Sequence, residues 1–320
     1  MAKLRIVSGI PLIAIVGPTG SGKSDLSLHI CEQLGGEVVN CDSLQIYRYF
    51  DIGTAKTPLE QRRGVPHHML DIVNPDETFT AGEYAARARP LLASIGRAAL
   101  PVVVGGTGFY LRALLDGLFP APSRSDEVRT RLASREQRRP GSLHRILQRF
   151  DRKASQAIHP NDIPKLIRAL EVYLLTRRPI TAWFAEGRDA LVGFRPLKIG
   201  LAPPRDALYD RLNTRCRQMF SGGLVEEVKR ILDMGWPASA KPFESHGYSQ
   251  VLQMLRGEMT PDEALDEAQR NTRHYAKRQV TWFRKEPGVE WLTGFGDEPA
   301  VRQAAIDRVC RHVKSSSSLP

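Results

Sequence analysis

The alternation of apolar and polar positions predicts short buried strands separated by helices. Four apolar runs are too short for helices and are rich in Val, Ile and Leu: Leu12–Val16, Glu37–Cys41, Pro101–Gly105 and Leu197–Leu201. The segment Asp25–Gly35 has the apolar spacing of a helix. Strands that alternate with helices are typical of a parallel sheet flanked by helices. The chain is therefore predicted to have an α/β fold.

The character of the chain changes between Leu118 and Pro196, where strand signals vanish. Residues 124–153 carry ten basic residues against four acidic ones. We interpret this helical, basic segment as an insertion into the α/β pattern. The predicted domains are a core of residues 1–118 and 196–320 and a helical insertion of residues 119–195.

A long helix is predicted to begin at the sequence TPDE near the C-terminal end. Thr260 can cap this helix, Pro261 fits its first turn, and Glu263 completes a capping box. Further along, Arg270–Lys285 contains six basic residues and no acidic one. Such a face is either merely solvated or contacts a nucleic-acid backbone, and the interleaved aromatic residues favour the second interpretation.

The composition adds a net positive charge. Among 320 residues, 46 Lys and Arg stand against 35 Asp and Glu, and the resulting formal charge of +11 indicates a polyanionic partner. The four cysteines form no C-x-x-C pair, so neither a zinc site nor a disulfide framework is predicted. No apolar run approaches the roughly 18 residues of a membrane span. We expect a cytoplasmic monomer that makes no membrane contact.

The first predicted strand leads into GPTGSGKS, which matches the phosphate-loop pattern G-x-x-x-x-G-K-[ST] without a mismatch. Backbone N–H groups of such a loop converge on a phosphate, the lysine adds positive charge, and the last hydroxyl can ligate Mg²⁺. The fold is thus predicted to be P-loop NTPase-like, although the loop alone does not define a reaction. Its predicted phosphate-binding residues are Gly17, Pro18, Thr19, Gly20, Ser21, Gly22, Lys23 and Ser24, with Ser24 as metal ligand.

Two further segments follow predicted strands and are expected at the same edge of the sheet. Asp42 comes directly after the second strand and is a candidate general base or metal ligand, unless it only caps the next helix. Ser43 and Gln45, beside it, carry groups that can read a base edge. Thr107 lies in a glycine-rich turn where a nucleotide hydrolase would have an acidic residue, and either faces the phosphates or caps a helix.

Five blocks in one order resemble the bacterial tRNA dimethylallyltransferases, also called tRNA isopentenyltransferases. They are GPTGSGKS, DSLQIY with DIGTAK, GGTGFYLRALLDG, IHPNDIPKLIRALEVY and AKRQVTWFR. The resemblance implies transfer of a dimethylallyl group from dimethylallyl diphosphate to N6 of the adenosine at position 37 of tRNA. On this basis the loop holds the donor's diphosphate, with Mg²⁺ as cofactor, and the adenine is flipped out of the anticodon stack.

The resemblance also implies roles for individual residues. Asp42 orients N6 and accepts its proton, Thr107 steadies the donor and the amine, and Arg215 grips the diphosphate. The insertion is expected to clasp the tRNA. The residues expected to contact tRNA are Asp42, Ser43, Leu44, Gln45, Thr107, Arg129, Lys165, Leu166, Ile167, Arg168, Tyr248, Gln250, Arg273, Lys277 and Arg278.

The chain departs from the family pattern at two places. Ser249 stands where G-Y-[RK]-Q has a basic residue, and Arg177 stands where T-G-[KR]-P has glycine, so the detail of tRNA docking is open. Three alternatives remain at this point: a P-loop small-molecule kinase, a prenyltransferase that acts on free adenine nucleotides, and an RNA-binding module that only senses a nucleotide. The adjacent His67 and His68 point opposite ways in an extended chain and are not predicted to bind metal.

Overall fold

The computed structural model describes residues 9–317, so residues 1–8 and 318–320 of the predicted core lie outside the described residues. One fully parallel sheet has the strand order β3-β2-β4-β1-β5-β6. Helices flank this sheet, which confirms the predicted α/β fold. The strands are Ile10–Val16 (β1), Gly36–Asn40 (β2), His67–His68 (β3), Leu100–Val104 (β4), Phe194–Ala202 (β5) and Val289–Thr293 (β6).

Helices connect the strands. Those of the α/β unit are Lys23–Leu34 (α1), Ala81–Ile95 (α2), Gly108–Leu115 (α3), Arg205–Ser221 (α9), Leu224–Asp233 (α10), Tyr248–Leu255 (α11), Pro261–Phe283 (α12) and Pro299–Ser317 (α13). Those of the helical unit are Asp126–Arg138 (α4), Ser142–Phe150 (α5), Arg152–Ala157 (α6), Ile163–Thr176 (α7) and Ile180–Phe184 (α8). Short 3₁₀ turns cover Leu59–Arg62 and Lys241–Glu244.

The four predicted apolar runs coincide with β1, β2, β4 and β5. Two strands were not predicted. β3 has two residues, too few for any periodicity, and the polar Glu290 interrupts the apolar pattern of β6. β6 nevertheless pairs with β5 over Lys198–Ala202.

The sheet and the helices α1 and α13 share one apolar core. Ile13 and Ile15 of β1 are fully buried against Leu26 and Ile30 of α1. Because a parallel sheet is covered on both faces, its central strands are apolar throughout. This rigid core fixes the loops that leave the carboxyl ends of β1, β2 and β4.

The helical unit spans Asp116–Ala190, and the α/β unit consists of the chain up to Leu115 and from Leu191 onward. The helical unit has a core of its own, in which Leu143, Leu147 and Leu170 pack together. The start of α12 has the predicted capping box: Thr260 accepts from the Glu263 amide, and the Glu263 carboxylate accepts from the Thr260 amide.

Candidate active site

The main cavity of the α/β unit, about 730 Å³, is lined by residues at the carboxyl edge of the sheet. It brings together the glycine-rich loop, the segment after β2 and the turn after β4. Ligands of parallel α/β sheets bind at this edge, because the loops that leave the strands converge there. The predicted site residues that line it are Thr19, Gly20, Gly22, Lys23, Ser24, Asp42, Gln45 and Arg215.

The glycine-rich loop ends at Gly22, which has a φ of 84° and caps α1. A Cβ there would lie 2.7 Å from the Gly296 amide nitrogen, so both the backbone angle and the space require glycine. Gly17, Pro18 and Ser21 are buried and do not line the cavity. Their predicted contact with phosphate is therefore limited to backbone atoms.

Lys23 is the cation of the loop. Its ammonium donates to the Pro18 carbonyl at 2.7 Å. Burial lowers the pKa of Lys23 to about 8; the charge of Asp42 opposes that shift, and the charge of Arg215 adds to it. Burial also lowers the pKa of Arg215, and Asp42 is among the groups that oppose this. Lys23 and Arg215 therefore both sense the charge of Asp42.

Asp42 lies at the junction of the three segments, directly after β2. Its Oδ1 accepts from the Leu44 amide at 2.9 Å. The Asn40 side chain donates to the Asp42 carbonyl and accepts from the Asp42 amide. Within the described residues, Oδ2 accepts no hydrogen bond. One carboxylate oxygen thus fixes the group, and the other is available to a ligand.

Thr107 joins the turn after β4 to the segment after β2. Its hydroxyl accepts from the Ser43 amide at 3.0 Å and donates to the Ser43 hydroxyl at 3.3 Å. Its carbonyl accepts from the amides of Tyr110 and Leu111, so Thr107 also starts α3. Thr107 therefore both caps α3 and lies beside the segment that carries Asp42.

A second, narrow pocket of about 50 Å³ shares Thr19, Asp42, Thr54 and Arg215 with the main cavity. Carbon-rich side chains form much of its remaining wall. They are Leu44, Leu212, Met219, Phe220, Leu224 and Tyr275.

Gln279 of α12 is a site residue that the sequence did not reveal. Its Oε1 accepts from the Thr19 amide at 2.8 Å, and its Nε2 donates to the Gly106 carbonyl at 3.0 Å. The side chain therefore ties the glycine-rich loop to the turn after β4. In the sequence, Gln279 is marked only by its place among the basic residues of the block AKRQVTWFR.

His246 and Tyr275 were also missed as neighbours of the site. Their rings lie 4.9 Å apart, and both line the narrow pocket. Burial lowers the pKa of His246 to about 4, and the charges of Arg278 and Arg215 add to this. The imidazole is therefore neutral at neutral pH.

The basic residues of α12 differ in how freely they face solvent. Lys277 and Arg278 are exposed, and the Arg278 guanidinium lies 5.6 Å from the centre of the Tyr275 ring. Arg273 is half-buried and donates to Asn213 of α9. Arg270 pairs with Glu267, one turn earlier, at 3.5 Å.

Two predicted tRNA contacts of the helical unit are held by a buried carboxylate. Arg129 donates to both oxygens of Glu171, at 2.9 and 3.2 Å, and Arg168 donates to one of them at 2.7 Å. Burial raises the pKa of Glu171, but these bonds and the bond from the Ser125 amide outweigh it, and the net pKa is below the usual value. Both arginines therefore have a structural role.

The neighbours of Arg168 on α7 lie in different environments. Leu166 and Ile167 are buried in the core of the helical unit, so packing explains their side chains. Lys165, by contrast, has a side chain that is 71% exposed and pairs with Asp162. Of these three, Lys165 is the side chain that a partner can reach.

The block around Tyr248 is largely internal. Tyr248 is fully buried, and Gln250 is nearly so and accepts from the Gly247 amide at 2.8 Å to cap α11. Ser249 is half-buried between them. Arg177 ends α7 with a φ of 59°, the left-handed conformation that the glycine of the family pattern adopts easily.

The cavity offers oxygen ligands to a cation but no complete cage. Within the described residues, no group of three His, Cys, Asp or Glu side chains is arranged to hold a metal ion. Ser24 and Asp42 both line the cavity. This set fits Mg²⁺, which is commonly held by one or two protein oxygens together with substrate phosphates. His67 and His68 instead bond to the Val65 carbonyl and to Glu37.

The parallel sheet and the charged cavity at its carboxyl edge define a P-loop-like α/β protein. The family model described as IPP transferase matches residues 45–286, and the chain belongs to this family. The resemblance drawn from the motifs is thereby confirmed, and the chain is a transferase enzyme. Among the helices between residues 9 and 317, none has the length and apolar character needed to cross a membrane.

Relatives and solved structures match nearly the whole chain. A tRNA dimethylallyltransferase from Solibacter usitatus is 60% identical over 303 residues, which cover 94% of this chain and 99% of that protein. The crystal structure of a tRNA isopentenylpyrophosphate transferase from Bacillus halodurans is 36% identical, has a TM-score of 0.71 and covers 96% and 98%. A eukaryotic dimethylallyltransferase described as acting on tRNA is 28% identical, with a TM-score of 0.78 and coverage of 93% and 78%.

Proposed function

We propose that this enzyme transfers a dimethylallyl group from dimethylallyl diphosphate to N6 of adenosine 37 in tRNA, next to the anticodon. The observation that supports it most is the meeting of Lys23, Arg215 and Asp42 in one cavity. Two cations suit a diphosphate, and a carboxylate suits an amine that must lose a proton. The family to which the chain belongs favours prenyl transfer over a small-molecule kinase.

The donor's diphosphate is proposed to lie against the glycine-rich loop. Breaking the bond between carbon and oxygen leaves negative charge on the departing diphosphate. Lys23, Arg215 and the amides at the start of α1 stabilise that charge as it grows, and this lowers the barrier. With Mg²⁺ bound, Ser24 is the residue that would hold it, and the ion would add positive charge for the same group.

The apolar chain of the donor is proposed to lie in the narrow pocket. Leu212, Met219 and Leu224 offer apolar contacts there, next to Arg215. Burial of apolar surface contributes about 25 cal/mol per Å². With its apolar chain in this pocket, the donor would have its reacting carbon near Asp42, which lines both pockets.

Asp42 is proposed as the general base. An exocyclic adenine amine is a weak nucleophile, because its lone pair is delocalised into the ring. Oδ2 of Asp42 can accept a hydrogen bond from N6, orient the amine and take its proton as the new bond to carbon forms. Thr107 is proposed to steady donor and amine. Ser43, Leu44 and Gln45 would contact the flipped base.

The proposed function is tested by supplying each donor with each acceptor. With dimethylallyl diphosphate we expect the purified enzyme to modify a tRNA that has adenosine at position 37, and to leave the same tRNA with guanosine there unmodified. Mass spectrometry of the digested tRNA gives the readout. Transfer of phosphate from ATP to small acceptors would instead support the kinase, and prenylation of AMP in preference to tRNA would support the nucleotide-specific alternative. The monomeric state and the cytoplasmic location stay predictions.

A further inference from the structure

A buried carboxylate of α10 holds one wall of the candidate active site. Glu227 is only 1% exposed. Its Oε2 accepts from the amides of Asp51 and Ile52 at 3.1 and 2.8 Å, and its Oε1 accepts from the Gly53 amide at 3.4 Å. A buried charge is costly unless it is fully hydrogen-bonded, so three consecutive amides on one side chain indicate a specific structural task. We call residues 51–55 the wall loop.

Tyr248 completes this arrangement from α11. Its hydroxyl donates to Glu227 Oε1 and accepts from the Gly53 amide at 3.0 Å. A Cβ on Gly53 would lie 2.4 Å from the tyrosine ring, so only glycine lets the loop approach this closely. Glu227 of α10 thus holds three residues of the wall loop, and Tyr248 of α11 holds Gly53 a second time.

The end of the wall loop is anchored separately. Lys56 is buried, and its ammonium donates to Asp51 and Asp71 at 2.6 Å each and to the Tyr47 carbonyl at 2.9 Å. Anchors on both sides leave the backbone of Thr54 and Ala55 little freedom.

The wall loop in turn orients a residue of the site. Thr54 and Ala55 line the main cavity together with Gln45 and Asp42. The side-chain nitrogen Nε2 of Gln45 donates to the Thr54 carbonyl at 3.1 Å and to the Ala55 carbonyl at 3.4 Å. With its nitrogen fixed by two carbonyls, the Gln45 side chain has a defined orientation at the cavity.

We propose that Glu227, together with Tyr248, is a positioning residue for the acceptor base and acts through the wall loop on Gln45. This rests on the proposed function, in which Gln45 contacts the flipped adenine. Neither Glu227 nor Tyr248 lines the main cavity, and the contacts that connect them to it run through backbone atoms. Gly53 and Thr54 of the wall loop also border the narrow pocket, but among the described residues the wall loop makes no bond to Lys23 or Arg215. The pair therefore governs how well the acceptor is oriented, and has little influence on how tightly the loop at Lys23 holds a diphosphate.

The test is a double-mutant cycle between Glu227→Gln and Gln45→Ala. Glutamine keeps the shape of Glu227 but presents an NH₂ group to backbone N–H donors. In Glu227→Gln we expect kcat/KM for tRNA to fall roughly 10- to 100-fold, as for a displaced substrate contact. Because both changes remove the same orientation, the double variant should lose no more than Gln45→Ala alone. The Kd for inorganic diphosphate, which needs only the loop at Lys23, should stay within about twofold.

Two further variants support the interpretation. Glu226→Gln alters an exposed acid beside Glu227 and should leave all constants unchanged. Tyr248→Phe keeps the ring next to Gly53 but removes the hydroxyl, and it should reduce kcat/KM for tRNA as Glu227→Gln does. It therefore serves as the test if Glu227→Gln folds poorly. Losses that multiply in the double variant, or an equal loss of affinity for diphosphate, would overturn the proposal.

Hydrogen exchange separates this inference from the proposed function. The amides of residues 51–53 should exchange faster in Glu227→Gln than in the parent chain, because their acceptor is weakened. This readout needs no substrate. If the parent chain fails to prenylate tRNA, the proposed function is wrong, while unchanged exchange at residues 51–53 refutes the positioning role of Glu227 by itself.

Discussion

Two cations and one carboxylate share the candidate site, and the charge of Asp42 affects the pKa of both Lys23 and Arg215. Without a bound anion, the charge of Arg215 adds to burial in lowering the pKa of Lys23, and Asp42 opposes the shift. A diphosphate would relieve this, because it supplies negative charge to both cations. The site is therefore expected to be best satisfied when an anion is bound.

The role of Asp42 is tested by Asp42→Asn. The amide keeps the acceptor for the Leu44 amide but cannot take a proton, so we expect kcat for transfer to fall on the order of 10²-fold or more. Affinity for tRNA should stay within roughly tenfold, because only one contact of the acceptor changes. Single-turnover transfer and filter binding measure the two quantities. Asp233→Asn, at an exposed position of α10, is the matched control. Full activity of Asp42→Asn would exclude Asp42 as the base.

The pKa of Lys23 predicts how donor binding and stability depend on pH. Only the charged ammonium attracts a diphosphate, so above about pH 8 binding requires Lys23 to take up a proton. We expect the Kd for dimethylallyl diphosphate to rise by up to about tenfold from pH 8 to pH 9. Stability of the free protein should change in the opposite sense. Because the folded state disfavours the proton, its cost is present below pH 8 and disappears as pH rises toward the ordinary value of 10.5.

Calorimetry at several pH values checks this prediction for Lys23. Lys23→Met should bind the donor weakly and show little pH dependence over the same range. Lys229→Ala, at an exposed position of α10, should behave like the parent chain. An affinity that does not change between pH 8 and pH 9 would show that Lys23 stays charged throughout.

The sequence could predict those site residues that directly follow a strand. Lys23, Asp42 and Thr107 lie after β1, β2 and β4, and parallel strands bring such positions together. Gln279 and Glu227 could not be found in this way. The residues of the hydrogen bond between Gln279 and Thr19 are 260 positions apart in the sequence, and those of the bond between Glu227 and Asp51 are 176 positions apart. No local pattern encodes a hydrogen bond over such distances, because it depends on how helices pack.

Among the secondary-structure elements, α7 of the helical unit depends on a buried ionic group. Glu171 is fully buried and accepts from Arg129, Arg168 and the Ser125 amide. Such a group stabilises only while it is complete, because the loss of one partner leaves the others buried without compensation. The basic surplus of the insertion thus includes charges that serve the fold.

Glu171→Gln tests this role. We expect the variant to destabilise the helical unit by about 2–4 kcal/mol, since two arginines lose their counter-charge. Hydrogen exchange of α4 and α7 in increasing urea measures the loss unit by unit. Glu127→Gln, at an exposed position of α4, should change nothing. In the parent chain, the stabilisation should be lost as pH falls through the lowered pKa of Glu171. Unaltered exchange in α7 would mean that the arginines are satisfied by solvent.

Element existence was easier to predict than element function. The capping box of α12 is encoded within four residues, so both its start and its cap could be predicted. The environment of its side chains could not, because burial is a property of the packed molecule. Arg273 and Lys277 looked equivalent in sequence, yet one bonds to α9 and the other faces solvent.

For the molecule as a whole, the charge of +11 raises the question of which basic residues bind the polyanion. Those that already bond to protein acids or amides are poor candidates, since a phosphate would have to displace an existing partner. Arg129, Arg168 and Arg273 are therefore disfavoured as contacts for the polyanion. Lys277, which is exposed on α12, is favoured instead.

Lys277→Ala should weaken tRNA binding without altering the chemistry. Loss of one lysine–phosphate contact reduces the slope of log Kd against log salt concentration by roughly one. Transfer at saturating tRNA should keep the parent kcat, because Lys277 does not line the cavity. Lys229→Ala provides a control for the simple loss of one positive charge. A slope that falls equally in both variants would mean that net charge attracts the tRNA, whereas a change in Lys277→Ala alone identifies the exposed face of α12 as the docking surface.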